Sequence, residues 1–406
     1  MIAVGDSARS VETSGVPHPL SRPGETKHFT LEGSDELEAH LERTCQQVLA
    51  RVRRLIPERK LEGLLVGGGY GRGEGGVLKT EAGDRPYNDL ELYVFLRGNN
   101  FVNQRRYQAP LHELGKRLSP PAGVEVEFKV LSVAKLRRSP SSMFYYDLVA
   151  GHHRLWGEES LLSGCGHHRA AERIPLCEAT RLLMNRCSGL LFARERLECA
   201  EFSPVDADFV ERNLAKAQLA FGDAVLTAFG RYHWSCLERH KRLKSLKMPE
   251  ALPWWSEVQR HHFSGVDFKL RPRRVAASRA ALLDRHEELS SLGLQLWLWL
   301  ERRRLNCPFD SARDYALSSV NKCPETSGWR NALLNLRTFQ LSVQLNPGSW
   351  RYPRERVLHA LAWLLWQREE SEESELLRCV GRELRVVVRS FSDAVAAYTA
   401  FWRQFS

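Results

Sequence analysis

A glycine-rich segment and four nearby carboxylates are the residues of this sequence best suited to chemistry. Seven of the ten residues from 67 to 76 are glycine, and Asp89 and Glu91 follow with one residue between them. Glycine has no Cβ atom, so its backbone N–H groups can approach a phosphate closely. Glu125 and Glu127 repeat the spacing farther along the chain. Carboxylates hold hard cations such as Mg²⁺, and the pattern therefore indicates metal-assisted chemistry at a phosphate.

These acids fall in segments whose apolar residues alternate, which is typical of half-buried strands. Residues 89–96 and 124–132 both show this alternation, and the two acids of each segment share one strand face. A further strand is predicted over 61–66, directly before the glycines. Acids from two neighbouring strands can close a clamp of two metal ions around the attacking and leaving oxygens of a phosphoryl transfer.

Other nucleotide motifs explain the glycines less well. Gly71, Gly73 and Gly76 match Gly-x-Gly-x-x-Gly, but a dinucleotide site needs a helix directly after the glycines, and here the sequence leads into a strand. The Gly-Lys-Ser/Thr of a P-loop is missing. Alternating acids alone most often form a solvated strand face. The combination of a glycine-rich segment with acids downstream of it is more specific than either feature alone. It favours a catalytic site.

The order of these parts resembles the DNA polymerase β-type nucleotidyltransferase superfamily, and the glycine segment is most similar to that of the protein-PII uridylyltransferases. The resemblance is carried by Gly68-Gly69-Tyr70-Gly71-Arg72-Gly73-Glu74 and by Asn88-Asp89-Leu90-Glu91-Leu92. It covers roughly residues 35 to 160. The connection Gly75–Asn88 is longer than in those enzymes, which predicts an inserted loop over the site.

The resemblance implies a set of site residues. Asp89, Glu91 and Glu127 are the implied catalytic and metal-binding carboxylates, with Glu125 as the alternate for the third. Glu125 and Glu127 share a face, so the pattern alone leaves both open; we prefer Glu127 because the residues after it are similar to the apolar continuation in the family. The implied cofactor is Mg²⁺ or Mn²⁺, and the implied substrate is a nucleoside triphosphate. The implied nucleotide-binding residues are Gly68, Gly69, Tyr70, Arg72 and, on a later helix, Lys216.

The remaining periodicity is helical. Amphipathic helices are predicted over 34–56 and over 101–118, the second ending at a Ser-Pro-Pro sequence. Beyond the third predicted strand, helical periods recur almost without interruption. The predicted helices are 175–199, 205–229, 231–246, 275–304, 354–368 and 386–403.

The predicted fold class is therefore α+β, with a small mixed-sheet nucleotidyltransferase domain followed by an all-α helical domain. We place the first domain at residues 31–165 and the second at 170–406, where there is room for two helical subdomains. Residues 1–30 are rich in Gly, Ser and Pro, and we predict a disordered tail there.

The charge distribution bears on which kind of molecule could accept the transferred nucleotide. The formal net charge is +10, and residues 231–274 hold eleven Lys or Arg against four acids, with aromatic residues between them. Such a segment suits single-stranded nucleic acid, but it also suits a solvated helix face over an aromatic core, and we expect Trp254 and Trp255 to be core residues. The predicted activity is transfer of NMP to a hydroxyl of a protein or small molecule. The alternatives are an RNA-tailing enzyme and a non-catalytic nucleotide-binding interaction protein.

Cysteine usage and hydropathy indicate the compartment. The nine cysteines are scattered and form no Cys-x-x-Cys pair, and the N-terminal residues lack the apolar centre of a signal peptide. The most apolar stretch, residues 292–300, is far shorter than the roughly 20 residues of a membrane span. We predict a cytoplasmic protein with reduced thiols and no membrane partner.

Overall fold

The computed structural model describes residues 28–248, 251–274, 277–339, 350–367 and 373–405. Its strands are β1 Leu61–Val66, β2 Val77–Thr80, β3 Gly83–Pro86, β4 Leu90–Leu96, β5 Val126–Leu131 and β6 His153–Gly157. The helices among and beside them are α1 Asp35–Leu55, α2 Gly68–Gly71, α3 Asn100–Ala122, α4 Val133–Arg138 and α5 Met143–Ala150. The later helices are α6 Leu176–Glu198, α7 Pro204–Ala228, α8 Cys236–Ser245, α9 Trp255–Leu270, α10 Arg279–Leu305, α11 Ala312–Leu317, α12 Gly328–Phe339, α13 Arg354–Trp366, α14 Glu373–Leu384 and α15 Phe391–Phe405. The predicted α+β class is confirmed.

Helix α1 shows how local sequence sets the first element. The Ser34 side chain caps its N-terminus by accepting from the Leu37 amide, and its apolar residues at three- and four-residue steps are buried. The Glu38 carboxylate accepts hydrogen bonds from the Phe29 and Thr30 amides at 2.7 and 2.9 Å. Phe29 is buried, so residues 28–30 belong to the fold and not to the disordered tail predicted over residues 1–30. Residues 1–27 lie outside the described ranges.

The main sheet has four strands in the order β5-β4-β1-β6. Strand β1 pairs antiparallel with β4 and β6, and β4 pairs parallel with β5, so the sheet is mixed. Helices α1 and α3 cover one face, and α4 and α5 pack against the other. The edge strand β6 was not predicted, because its sequence, His-Arg-Leu-Trp-Gly, does not alternate apolar and polar residues.

Two sequence expectations in this part are wrong in detail. Helix α3 does not stop at the Ser-Pro-Pro sequence but runs to Ala122, where Gly123 ends it in the left-handed region at φ 74°. The Gly75–Asn88 insertion is not an irregular loop, because β2 and β3 form an antiparallel hairpin within it. The hairpin is fixed to the start of α1, where the Asp84 carboxylate accepts from the Ser34 amide at 2.8 Å.

The helical part is built around α6, which packs against α7, α10 and α13. One large hydrophobic cluster of the described residues extends from Ala179 to Phe405. Each predicted helix is present with shifted ends, but α9, α11, α12 and α14 were missed. Within the described ranges, none of the helices has the length and apolar composition that crossing a bilayer requires.

Candidate active site

The predicted carboxylates lie together at one end of two neighbouring strands. In the parallel pairing of β4 with β5, Glu91 lies directly opposite Glu127, and the Leu90 amide donates to the Glu125 carbonyl at 2.8 Å. Side chains alternate along a strand, so Asp89, Glu91, Glu125 and Glu127 all lie on the same sheet face. Like charges placed directly opposite each other destabilise a sheet, so this arrangement is unfavourable unless a cation compensates it.

The electrostatics of these acids agree with their crowding. Partial desolvation raises the pKa of the Asp89 carboxyl, and the charges of Glu125 and Glu91 raise it further, whereas Lys216 opposes the shift. Desolvation also raises the pKa of the Glu127 carboxyl, with Lys129 opposing and the other three acids adding to the rise. The neighbouring acids therefore add to the desolvation that disfavours the ionised forms of Asp89 and Glu127.

The donor chemistry fits Mg²⁺, which prefers carboxylate oxygens together with water and phosphate oxygens. In the part of the chain that the structure describes, however, no three His, Cys, Asp or Glu side chains converge on a common point suitable for a metal ion. The Glu91 carboxylate instead accepts a short hydrogen bond from the Tyr93 hydroxyl. Binding of one ion by Asp89, Glu91 and Glu127 would thus require their side chains to rotate.

The glycine segment is held directly against Glu91. The Gly67 amide donates to the Glu91 carbonyl at 2.9 Å, and the chain then turns through the single-turn helix α2. Gly68 has a φ of 60°, and a Cβ atom there would lie 3.0 Å from Glu91 Oε1. A Cβ atom on Gly69 would lie 3.0 Å from the Glu74 carbonyl oxygen. The backbone approaches this closely only because both positions are glycine.

Tyr70 and Arg72, both predicted to bind nucleotide, have different surroundings. The Tyr70 side chain is buried, and its hydroxyl accepts from the Tyr87 amide at 2.9 Å and donates to the Gly76 carbonyl. Tyr70 therefore holds the base of the hairpin through its side chain. Arg72 lines a cleft and forms an ion pair with Asp147 at 2.9 Å.

This cleft, of about 450 Å³, lies between the end of the sheet and helix α6. Among its lining residues are four cations, Arg72, Lys129, Arg181 and Arg186. Glu91, Asp147 and Glu178 also line it. Arg72 Nε and Asp147 Oδ1 are buried without a hydrogen-bond partner in the described residues. An unpaired buried polar atom costs about 1–3 kcal/mol, so a polar ligand or ordered water is expected here.

Sequence reasoning missed Arg181, Arg186 and Asp147. Arg186 is a charged residue in the middle of α6, between two apolar stretches, and this was the available signal. Nothing in the local sequence indicates which sheet residues α6 will face.

Lys216 is brought to the acids from the helical part. It lies on α7, and its charge opposes the rise in the pKa of Asp89. Desolvation, together with Arg186 and Arg212, lowers the pKa of the Lys216 ammonium, while Asp89 opposes that shift. Lys216 is therefore close enough to Asp89 to influence its ionisation, and its predicted role in nucleotide binding stays a prediction.

A buried hydrogen-bond network joins the glycine segment to the helical part. The Tyr232 hydroxyl donates to Asp147 at 3.2 Å and accepts from Arg239 at 2.9 Å. Arg239 forms a 2.6 Å ion pair with Asp223, and both side chains are at most 5% exposed. A second link comes from Glu74, whose carboxylate accepts from the Cys236 amide at 2.8 Å and from the Ser235 hydroxyl, at the N-terminus of α8. Arg72 and Glu74 lie on either side of Gly73. Arg72 is thereby held by Asp147 on α5, and Glu74 is held by the start of α8.

The comparisons add no relative: neither protein-family models nor curated proteins match this sequence. The functional interpretation consequently depends on the geometry of the cleft and on the residue pattern.

We predict that Gly69→Val weakens nucleoside triphosphate binding by at least tenfold. The new side chain would meet the Glu74 carbonyl oxygen and force the turn away from Glu91. Calorimetric titration of the folded variant measures the effect. Gly166→Val is the matched control, because a Cβ atom there meets nothing within 4 Å. Equal affinity in the two variants would show that the glycine segment is only a structural turn.

Proposed function

We propose that this protein is a metal-dependent nucleotidyltransferase of the polymerase β type, which transfers NMP from a nucleoside triphosphate to a hydroxyl group. The observation that carries the proposal is the opposition of Glu91 and Glu127 on β4 and β5, with the glycine segment bound to the same end of β4. The proposal is supported further by the raised pKa values of Asp89 and Glu127, caused first by desolvation and then by neighbouring acids, and by the arginines that line the cleft.

Each part of the site has a role in the proposed reaction. Asp89, Glu91 and Glu127 would hold Mg²⁺ or Mn²⁺, which supplies charge neutralisation at the transferred phosphate when it is bound. Gly68 and Gly69 allow close backbone approach to the triphosphate. The cations of the cleft and Lys216 balance its negative charge. The raised pKa of Glu127 suits a group that accepts the proton of the acceptor hydroxyl.

The proposal is tested by incubating the protein with each α-labelled nucleoside triphosphate, Mg²⁺ and a cell extract, and then separating protein, RNA and small molecules. Label in the protein or small-molecule fraction, dependent on added enzyme, is the expected result. Label in RNA would instead support the tailing alternative. Absence of label with all four nucleotides and with either metal would contradict the transferase.

A non-catalytic nucleotide-binding protein is the second candidate, and the hydrogen bond between Tyr93 and Glu91 favours it. In such a protein the glycine segment would bind the nucleotide while the carboxylates stay apart. Calorimetry separates the two functions: nucleotide affinity that does not depend on Mg²⁺, without any labelled product, supports the second candidate.

A protein or small-molecule acceptor is favoured over RNA by the pairing of the cationic segment. Arg239 is buried, and Arg260, Arg271 and Arg273 form ion pairs with Glu288, Glu32 and Asp267. Trp254 is in the hydrophobic core and Trp255 packs against it, as expected. Three acids from outside the segment, Asp223, Glu288 and Glu32, therefore offset part of its positive charge. The nine cysteines, all free thiols, fit the proposed location in a reducing compartment such as the cytoplasm.

A further inference from the structure

A second cavity, of about 450 Å³, lies in the helical part among α11, α13 and α14. Its lining residues are entirely different from those of the cleft beside Glu91. The volume is within the range of small-molecule sites in proteins. Four of the lining residues are arginines and two are glutamates, which leaves an excess of positive charge. They are Arg351, Arg356, Arg382, Arg385, Glu355 and Glu383.

His359 supplies an independent sign that a ligand belongs in this cavity. Its side chain is only 8% exposed, and Nδ1 lies 3.3 Å from Glu383 Oε2. Its Nε2 atom is buried and has no hydrogen-bond partner in the described residues, and the nearest glutamate oxygen, on Glu355, is 4.0 Å away. A buried ring nitrogen without a partner is costly. A ligand in the cavity that His359 lines would satisfy it.

Both glutamates form hydrogen bonds within the protein. Because there are only two of them, they do not cancel the charge of all four arginines. Glu355 accepts from Arg351 and, at 3.0 Å, from the Lys322 amide. Glu383 is held by His359. The Arg356 guanidinium donates to the Glu383 backbone carbonyl at 3.0 Å, and its burial lowers its pKa, which shows that the group is poorly solvated. An anion would compensate a desolvated guanidinium of this kind.

The arginines reach the cavity from several directions. Arg351 precedes α13, Arg356 lies in its first turns, Arg382 is in the last turn of α14, and Arg385 follows α14. Arg385 has a φ of 55°, in the left-handed region where glycine is the usual residue after a helix. Donors supplied by separate elements can contact the three or four oxygens of a tetrahedral anion, whereas a carboxylate offers only two oxygens in one plane.

We propose that this cavity is a second binding site, distinct from the candidate active site, for a small molecule that bears a phosphate group. The guanidinium groups of Arg382 and Arg385 donate to the phosphate oxygens, His359 Nε2 accepts from a phosphate hydroxyl, and the rest of the cavity holds the remainder of the ligand. The inference does not depend on the proposed transferase activity, because it uses none of the residues of that site.

The test is a calorimetric titration of the full chain with inorganic phosphate, without divalent metal. We expect Arg382→Gln to weaken phosphate binding by about tenfold or more, since it removes one charge-assisted donor. Arg378→Gln removes the same charge one turn earlier in α14, from an exposed residue that does not line the cavity, and should leave the affinity unchanged. Arg181→Gln, in the other cleft, should also leave it unchanged.

His359→Gln is the second variant, in case the arginine variant unfolds, and it should weaken phosphate binding as well; the thermal midpoint confirms that each variant is folded. Acetate is expected to bind at least tenfold more weakly than phosphate. The proposal fails if the wild-type protein binds no phosphate at millimolar concentration, if acetate binds equally well, or if Arg181→Gln rather than Arg382→Gln removes the binding.

Discussion

Replacement of Asp89 by Asn together with Glu91 by Gln is expected to lower nucleotidyl transfer by about 1000-fold or more while the protein stays folded. Metal ions contribute several kcal/mol to such a transition state, and each 1.4 kcal/mol is a factor of ten in rate. The two changes also remove repulsion from the crowded acids on β4 and β5. The thermal midpoint without metal should therefore equal or exceed that of the wild-type protein.

The matched control is Glu62→Gln, which neutralises a strand acid near the opposite end of the same sheet. It should retain full transfer. Added Mg²⁺ should raise the thermal midpoint of the wild-type protein and of this control but not that of the double variant. Unchanged transfer by the double variant at saturating Mg²⁺ would show that these carboxylates are not part of the catalytic site.

Arg239→Leu is expected to lower the free energy of unfolding by about 3–5 kcal/mol, the usual cost of leaving one member of a buried ion pair without its partner. Asp223 would remain buried, and its nearest remaining partner would be the His262 ring, with Nε2 at 3.2 Å. The same change removes the donor to the Tyr232 hydroxyl and so weakens the network that reaches Asp147 and Arg72. Urea denaturation monitored by circular dichroism measures the loss.

The pH dependence of this loss has a defined sign. In the wild-type protein burial opposes ionisation of Asp223, but Arg239 and His262 together hold its pKa below the ordinary value, so the stabilisation is lost only in strong acid. In Arg239→Leu the unpaired buried carboxyl has a raised pKa, and protonation relieves it as the pH falls from neutral. The stability difference between the two proteins should narrow toward acid pH.

The control for Arg239→Leu is Lys116→Gln, which breaks an exposed ion pair with Glu113 and should change stability far less. A loss of equal size in both variants would mean that burial of the pair has no special energetic role.

Much of the fold was predictable where one face of an element is apolar. Helix α1 and strand β5 repeat buried residues at the expected periods, so the pattern identified them. Strand β4 was identified by its alternating sequence, although both of its faces are buried from Leu92 to Leu96. Helix α9 was missed because its buried positions include His261 and His262, which do not count as apolar in a periodicity search. The two buried imidazoles form tertiary hydrogen bonds, His261 with Gln218 and His262 with Asp223. The local sequence does not indicate these partners.

The candidate site was predictable only to the level of individual strands. Spacing places Asp89 with Glu91, and Glu125 with Glu127, but nothing in either segment specifies that β4 and β5 pair in parallel with Glu91 opposite Glu127. The same limit applies to Arg186, because the packing of α6 against the sheet depends on contacts far apart in sequence. Tyr70 was assigned to the nucleotide on resemblance, whereas its side chain holds the hairpin.

The hydrogen bonds of Glu74 to the start of α8 have a practical consequence for dissecting the chain. A fragment that ended near residue 165 would keep Glu74 but lose Ser235 and Cys236, its partners across the boundary. The carboxylate, now only 3% exposed, would then face solvent beside the glycine segment, and Asp147 would lose the Tyr232 hydroxyl. We therefore do not expect the sheet part to keep its structure as an isolated domain. The conformation of its glycine segment depends partly on residues some 160 positions downstream.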